Sequence, residues 1–134
     1  AAGLNMADHC VFLPGQDLQG YASLLAEVDV FLDTLEFSGG HTTFDALSCS
    51  IPVVCCAGEV MRGRQSYGAL RMLGVTDTIA QTEEEYIDIA VKLGLEPEWR
   101  QRIGQQMTAA QPQLFEDTTC VRGLEAFYRQ ALEQ

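Results

Sequence analysis

Two short segments hold the residues best suited to chemistry. The first is Ser38-Gly39-Gly40-His41-Thr42-Thr43-Phe44-Asp45. Its paired glycines accept backbone angles and close approaches that other residues forbid. A helix opening just after them presents free N–H groups and the positive end of its dipole. The hydroxyls of Thr42 and Thr43 lie beside those groups. Such a loop suits a phosphate or diphosphate and needs no lysine. Asp45 falls in the first or second turn and would repel a phosphate set against it, so a sugar hydroxyl is its better partner. The same residues also read as a tight turn with a threonine cap and an Asp45 that favours the dipole. The second segment is Ala57-Gly58-Glu59-Val60-Met61-Arg62-Gly63-Arg64. Arg62 and Arg64 are the earliest cations of the chain. Two residues apart, they cannot share one helical face, so at most one is expected to face a crevice. Glu59 can accept from a hydroxyl or hold an arginine, and the bland alternative is a surface ion pair of small worth.

Other reactive residues point nowhere specific. His9-Cys10, His41 and Cys55-Cys56 lack ligand spacing such as Cys-x-x-Cys, so no metal is expected. Nothing beside Cys49 marks an activating base. Glu83-Glu84-Glu85 reads as a helix start with a solvated face, and Trp99 as a packing anchor. The Gly-x-Gly-x-x-Gly fingerprint of dinucleotide sites is absent.

The elements that must position the two loops alternate in type. Val11-Phe12-Leu13, Val30-Phe31-Leu32, Ile51–Cys56 and Thr78-Ile79-Ala80 read as strands. Between them, Tyr21, Leu24, Leu25 and Val28 recur at helical spacing. A helix is expected from His41 to Cys49 with Phe44 and Leu47 inward, and another from Met61 to Leu73, ended by Gly74. The last third is all-helical. Thr82 and Glu85 form a capping box before the stripe Tyr86, Ile89, Leu93. Pro97 opens a helix with Trp99, Ile103 and Met107 inward. After Pro112, a final helix from about Thr119 turns Val121, Leu124, Tyr128 and Leu132 inward. Strands alternating with helices imply parallel βαβ units. The fold class is therefore α/β, a Rossmann-like, doubly wound parallel sheet with flanking helices. In such sheets ligands bind beyond the carboxyl ends of the strands, where both loops lie.

Composition sets outer bounds. The chain has 134 residues, 47% of them apolar, the size of one domain or part of a larger one. With 8 basic and 19 acidic residues its formal charge is −11. That argues against nucleic acid as a partner and against an anionic membrane surface. The sign is uneven, because residues 1–61 carry eight acids and no Lys or Arg. Five cysteines without framework spacing favour a reducing cytoplasm. No signal peptide is recognised, and no apolar run approaches the roughly 20 residues of a membrane helix.

The blocks together resemble one family. They are Val28-Asp29-Val30-Phe31-Leu32-Asp33-Thr34, Ser38–Leu47, Ile51-Pro52-Val53-Val54, Gly58-Glu59, Arg64, Leu73-Gly74-Val75, Ile79-Ala80, Glu85-Tyr86, Ala90–Gly94 and Leu124-Glu125 with Phe127-Tyr128. In order and spacing they are similar to the C-terminal catalytic half of the O-linked N-acetylglucosamine transferases and their bacterial SPINDLY-like relatives, over about residues 11–132. The resemblance implies a GT-B glycosyltransferase whose donor, usually UDP-N-acetylglucosamine, is held by the C-terminal lobe. Residues 1–134 would be a single partial domain of that lobe, without its first strands, the N-terminal lobe or the repeats. It places the donor diphosphate on Gly39, Gly40, His41, Thr42, Thr43 and Arg64 and the ribose on Asp45, with Gly58 and Glu59 as a supporting loop. One residue, Phe44, separates Thr43 from Asp45, where family members commonly have two. Aligned on the Asp, Gly40 falls on the family His, so backbone N–H groups rather than imidazole are expected at the phosphate. No catalytic residue and no metal are expected here, and the stretch alone should transfer no sugar. Its partners would be a nucleotide sugar, an acceptor protein or peptide, and further copies of itself through exposed sheet edges. The competing reading is a degenerate, non-catalytic lobe that serves as a protein-interaction module.

Overall fold

The computed structural model describes residues 3–133. A helix α1 (Leu18–Glu27) leads into strand β1 (Phe31–Leu32), followed by α2 (His41–Ser48), β2 (Val53–Cys56), α3 (Gln65–Leu73), β3 (Ile79–Ala80), α4 (Glu83–Leu95), α5 (Pro97–Phe115) and α6 (Thr119–Leu132). The strands form a parallel sheet in the order β1-β2-β3. Phe31 pairs with Val53, and Cys55 pairs with Ile79. Central β2 is buried through Val53, Val54 and Cys55, as a strand covered on both faces requires. Pro52 just precedes it and still accepts from the Phe31 N–H through its carbonyl (2.8 Å).

The expected helix signals act where they stand. Gly74 closes α3 at φ 69°, a left-handed angle that favours glycine. Thr82 caps α4 by accepting from the Glu85 N–H (3.1 Å). The Glu85 carboxylate reaches one residue further back than a capping box predicts, to the Gln81 N–H (2.6 Å). Trp99, Ile103 and Met107 of α5 are buried against the core, which also includes Leu47, Leu70 and Leu93. No helix among the described residues is long and apolar enough to cross a membrane.

Four expectations need correction. Val11-Phe12-Leu13 forms no strand and is exposed. No neighbouring strand is present to take its backbone hydrogen bonds, and an unpaired extended segment gains nothing from the sheet. Phe44 is only partly covered, edge-on to Phe115 at 6.3 Å between ring centroids. The buried face of α2 is instead Thr43, Ala46 and Leu47. Helix α5 continues through Pro112 to Phe115; so near a helix end, the proline removes little of the backbone ladder. Finally, α6 forms as its period demands, but Val121, Leu124, Tyr128 and Leu132 are 53–88% exposed. Periodicity makes the apolar face, and no described residue covers it.

These assignments predict opposite outcomes for two similar truncations. Ile103→Ala should cost about 2–5 kcal/mol of stability in urea unfolding. Leu124→Ala should change it by less than about 0.5 kcal/mol.

Candidate functional site

The carboxyl end of β1 carries Asp33, which is buried. Its Oδ2 accepts from the Ser38 hydroxyl (2.8 Å) and its Oδ1 from the Gly39 N–H (2.7 Å). The Tyr86 hydroxyl on α4 donates to the Asp33 carbonyl (2.9 Å). These bonds close residues 33–39 into a ring. Within it Glu36 adopts φ 56°, the left-handed region that costs most residues roughly 1 kcal/mol or more. The ring is also tied to the second loop. Ser38 N–H donates to the Arg62 carbonyl (2.9 Å), and a Cβ on Gly63 would stand 3.0 Å from the Glu36 carbonyl oxygen. Only glycine lets these two backbones meet so closely.

Behind the glycine pair lies a closed set of hydroxyls. Ser38, Thr43 and Ser66 are buried. Thr43 Oγ1 donates to the Gly39 carbonyl (2.9 Å) and lies 2.8 Å from Ser66 Oγ. Each hydroxyl has one proton. Ser38 gives its proton to Asp33 and Thr43 gives its own to Gly39, so Ser66 is left to donate to Thr43. The Ser66 N–H in turn donates to Ser38 Oγ (2.9 Å). Ser38 thereby caps α3 from 28 residues away, where Arg64 supplies no side-chain cap. The starts of α2 and α3 are fixed to one another through this cluster.

The predicted residues divide into those that face outward and those that hold the loop. Gly40 occupies the N-cap of α2, and no side chain caps that helix. Its first amides, on His41 and Thr42, point out of the helix end without a capping partner. Thr42 is exposed. The His41 imidazole is 98% exposed, with Nδ1 3.7 Å from Asp45 Oδ2. Asp45 is partly exposed on the next turn. The Gly39 N–H is occupied by Asp33, and the Thr43 hydroxyl faces the interior, so neither of these polar groups opens outward as the sequence reading expects. Arg64 is a clamp: Nη1 donates to the Gly58 carbonyl (2.8 Å) and the guanidinium lies over the Tyr67 ring at 4.4 Å. Its neighbour Arg62 instead lines a cleft of about 590 Å³ with Glu36, Cys56, Gly58, Glu59 and Glu83. Sequence reasoning missed Asp33, Ser38, Ser66 and Tyr86. A carboxylate at the end of a strand, with a serine directly before a glycine pair, was the available signal for the first two.

Carboxylates dominate the electrostatics here. Burial, with the charge of Asp33 second, pushes the Cys55 thiol up to about 12. Burial and then Asp33 also raise the Tyr86 phenol. Burial followed by Glu83 and Glu85 raises Cys56. Among the described residues, no group of three or more His, Cys, Asp or Glu is arranged to hold a metal.

With this geometry in hand, comparison with known proteins is informative. The family model for Glycosyl transferase family 41 matches residues 23–122. A Hordeum vulgare protein named "Probable UDP-N-acetylglucosamine--peptide N-acetylglucosaminyltransferase SPINDLY" is 28% identical over 123 residues, covering 89% of this chain and 12% of its own length. The UDP-N-acetylglucosamine--peptide N-acetylglucosaminyltransferase of Caenorhabditis elegans is 42% identical over 67 residues, 49% of this chain and 6% of that protein. Among solved structures, a mutant of the Thermobaculum terrenum O-GlcNAc transferase superposes with a TM-score of 0.78 at 32% identity, over 88% of this chain and 23% of that one. The chain thus spans only about an eighth of the barley relative's length.

Two measurements check the site as described. Asp33→Ala should cost about 1–3 kcal/mol, because it strands two buried donors; it should also speed hydrogen exchange at the Gly39 amide. The neutral Cys55 thiol sets a pH dependence. Its folded value of about 12 exceeds the ordinary 9.0. The folded chain therefore keeps a proton that the unfolded chain loses, and stability present below pH 9 falls as pH rises towards 12. In Cys55→Ala the slope of unfolding free energy over that window should be shallower.

Proposed function

The chain belongs to glycosyl transferase family 41, and from that premise we propose that it is the nucleotide-sugar-binding part of an O-glycosyltransferase. The donor is UDP-N-acetylglucosamine, and the acceptor is a serine or threonine hydroxyl of a protein. The observation that carries this is the open start of α2, uncapped and set at the carboxyl end of β1, where open α/β sheets bind their ligands. There the amides of His41 and Thr42, beside Gly39 and Gly40, receive the diphosphate, and Asp45 one turn on receives ribose hydroxyls. Thr43 and Arg64 serve this site indirectly, one by holding the Gly39 carbonyl and the other by clamping the Gly58-Glu59 loop. Catalysis by such a part is orientation of the donor and stabilisation of the diphosphate as it leaves. No residue of this chain is assigned the role of base, and no metal is required. The transferase names of the relatives support this over a non-catalytic interaction lobe. We further place the protein in a reducing cytoplasm, a reading supported by cysteines that are all free.

Calorimetric titration of the full-length polypeptide carrying this chain tests the proposal. UDP and UDP-N-acetylglucosamine should bind, and Asp45→Ala should weaken both by about tenfold or more, the value of a charge-assisted hydrogen bond. Absence of binding at millimolar donor, with the fold intact, would sink it.

A further inference from the structure

The start of α2 has a neighbour that no motif marks. Gln65 is the first residue of α3 and is exposed. A Cβ built on Gly40 would stand 2.8 Å from its Oε1 and 3.7 Å from its Cδ, with no other residue's atoms as near. The carboxamide of Gln65 therefore lies directly against the N-cap of α2. The next residue is pinned on both sides of that cap: Ser66 N–H donates to Ser38 Oγ (2.9 Å), and Ser66 Oγ is 2.8 Å from Thr43 Oγ1. The base of the Gln65 side chain is thus fixed relative to α2, while its tip is free. Side-chain cations are scarce here. None precedes Arg62 in the chain, and the Arg64 guanidinium is engaged with Gly58 and Tyr67. A phosphate at this place must be held by neutral donors.

We propose that Gln65 is a further donor-binding residue, whose carboxamide N–H₂ contacts the diphosphate opposite the α2 amides, with Ser66 as the residue that positions it. This rests on the assignment of the diphosphate to the start of α2. A carboxamide suits the task, since it donates to phosphate oxygens without bringing the desolvation cost of an ammonium. The start of α3 adds its own positive dipole end from the same side.

A charge series at this position provides the test, read as UDP affinity of the full-length polypeptide. Gln65→Glu should weaken UDP about tenfold, through repulsion at short range. Gln65→Lys should tighten it several-fold, and the affinity for uridine, which has no phosphate, should not move. Unchanged melting temperatures are expected at so exposed a position, and a structural role alone would not order the variants by charge. If the wild type binds UDP and all three forms bind it equally, the Gln65 contact is overturned while the site on α2 stands. If the wild type does not bind UDP at all, the α2 assignment fails and the contact fails with it.

Discussion

Asp33 is a charged side chain placed where water scarcely reaches, and no Lys or Arg pairs with it among the described residues. Burying a carboxylate is costly unless hydrogen bonds replace its hydration. Here they come from the Ser38 hydroxyl and the Gly39 N–H, and both donors belong to the loop that opens α2. The carboxylate is satisfied only when that loop takes one shape. The requirement spreads from there. Ser38, held by Asp33, caps α3, and Ser66 of α3 reaches Thr43 of α2. A single buried charge at the end of β1 therefore fixes the relative placement of two helix starts.

This solution uses up groups that a phosphate site might otherwise employ. The Gly39 N–H and the Thr43 hydroxyl are both taken. What remains outward is backbone: the first amides of α2 and the dipole behind them. Such a site suits a region with eight acids and no Lys or Arg, because helix dipoles attract an anion without adding net charge. The remaining carboxylates stand off to the side, with Glu36, Glu59 and Glu83 lining the adjoining cleft beside Arg62.

Much of the fold was legible because its signals are local. A continuous apolar run made β2, Thr82 and Gly74 marked helix ends, and the spacing of Trp99, Ile103 and Met107 gave the buried face of α5. The failures share a cause. Periodicity at Val11–Leu13 and along α6 reports an apolar face, but not whether anything covers it. In α2 the bulkier Phe44 was taken as the inward residue. The structure turns Thr43 inward instead, because Thr43 has a hydroxyl partner on α3 and Phe44 has only Phe115 at the surface. Neither that partner nor the cap from Ser38 to α3 has a local sequence signal, since 23 and 28 residues separate the pairs.

The one-residue shift around His41 follows from the same geometry. A motif that bound phosphate through imidazole would lose its ligand when the histidine moved by one position along a helix, since each residue turns the side chain by about 100 degrees. A motif that binds through the amides of a helix start depends on where the helix begins. That point is set by Gly40 at the N-cap and by Asp33 holding Gly39. His41 is free to point into solvent, with Asp45 as its only close ionic neighbour. Under the proposed function, the departure from the family spacing changes which side chain borders the donor while leaving the backbone cradle in place.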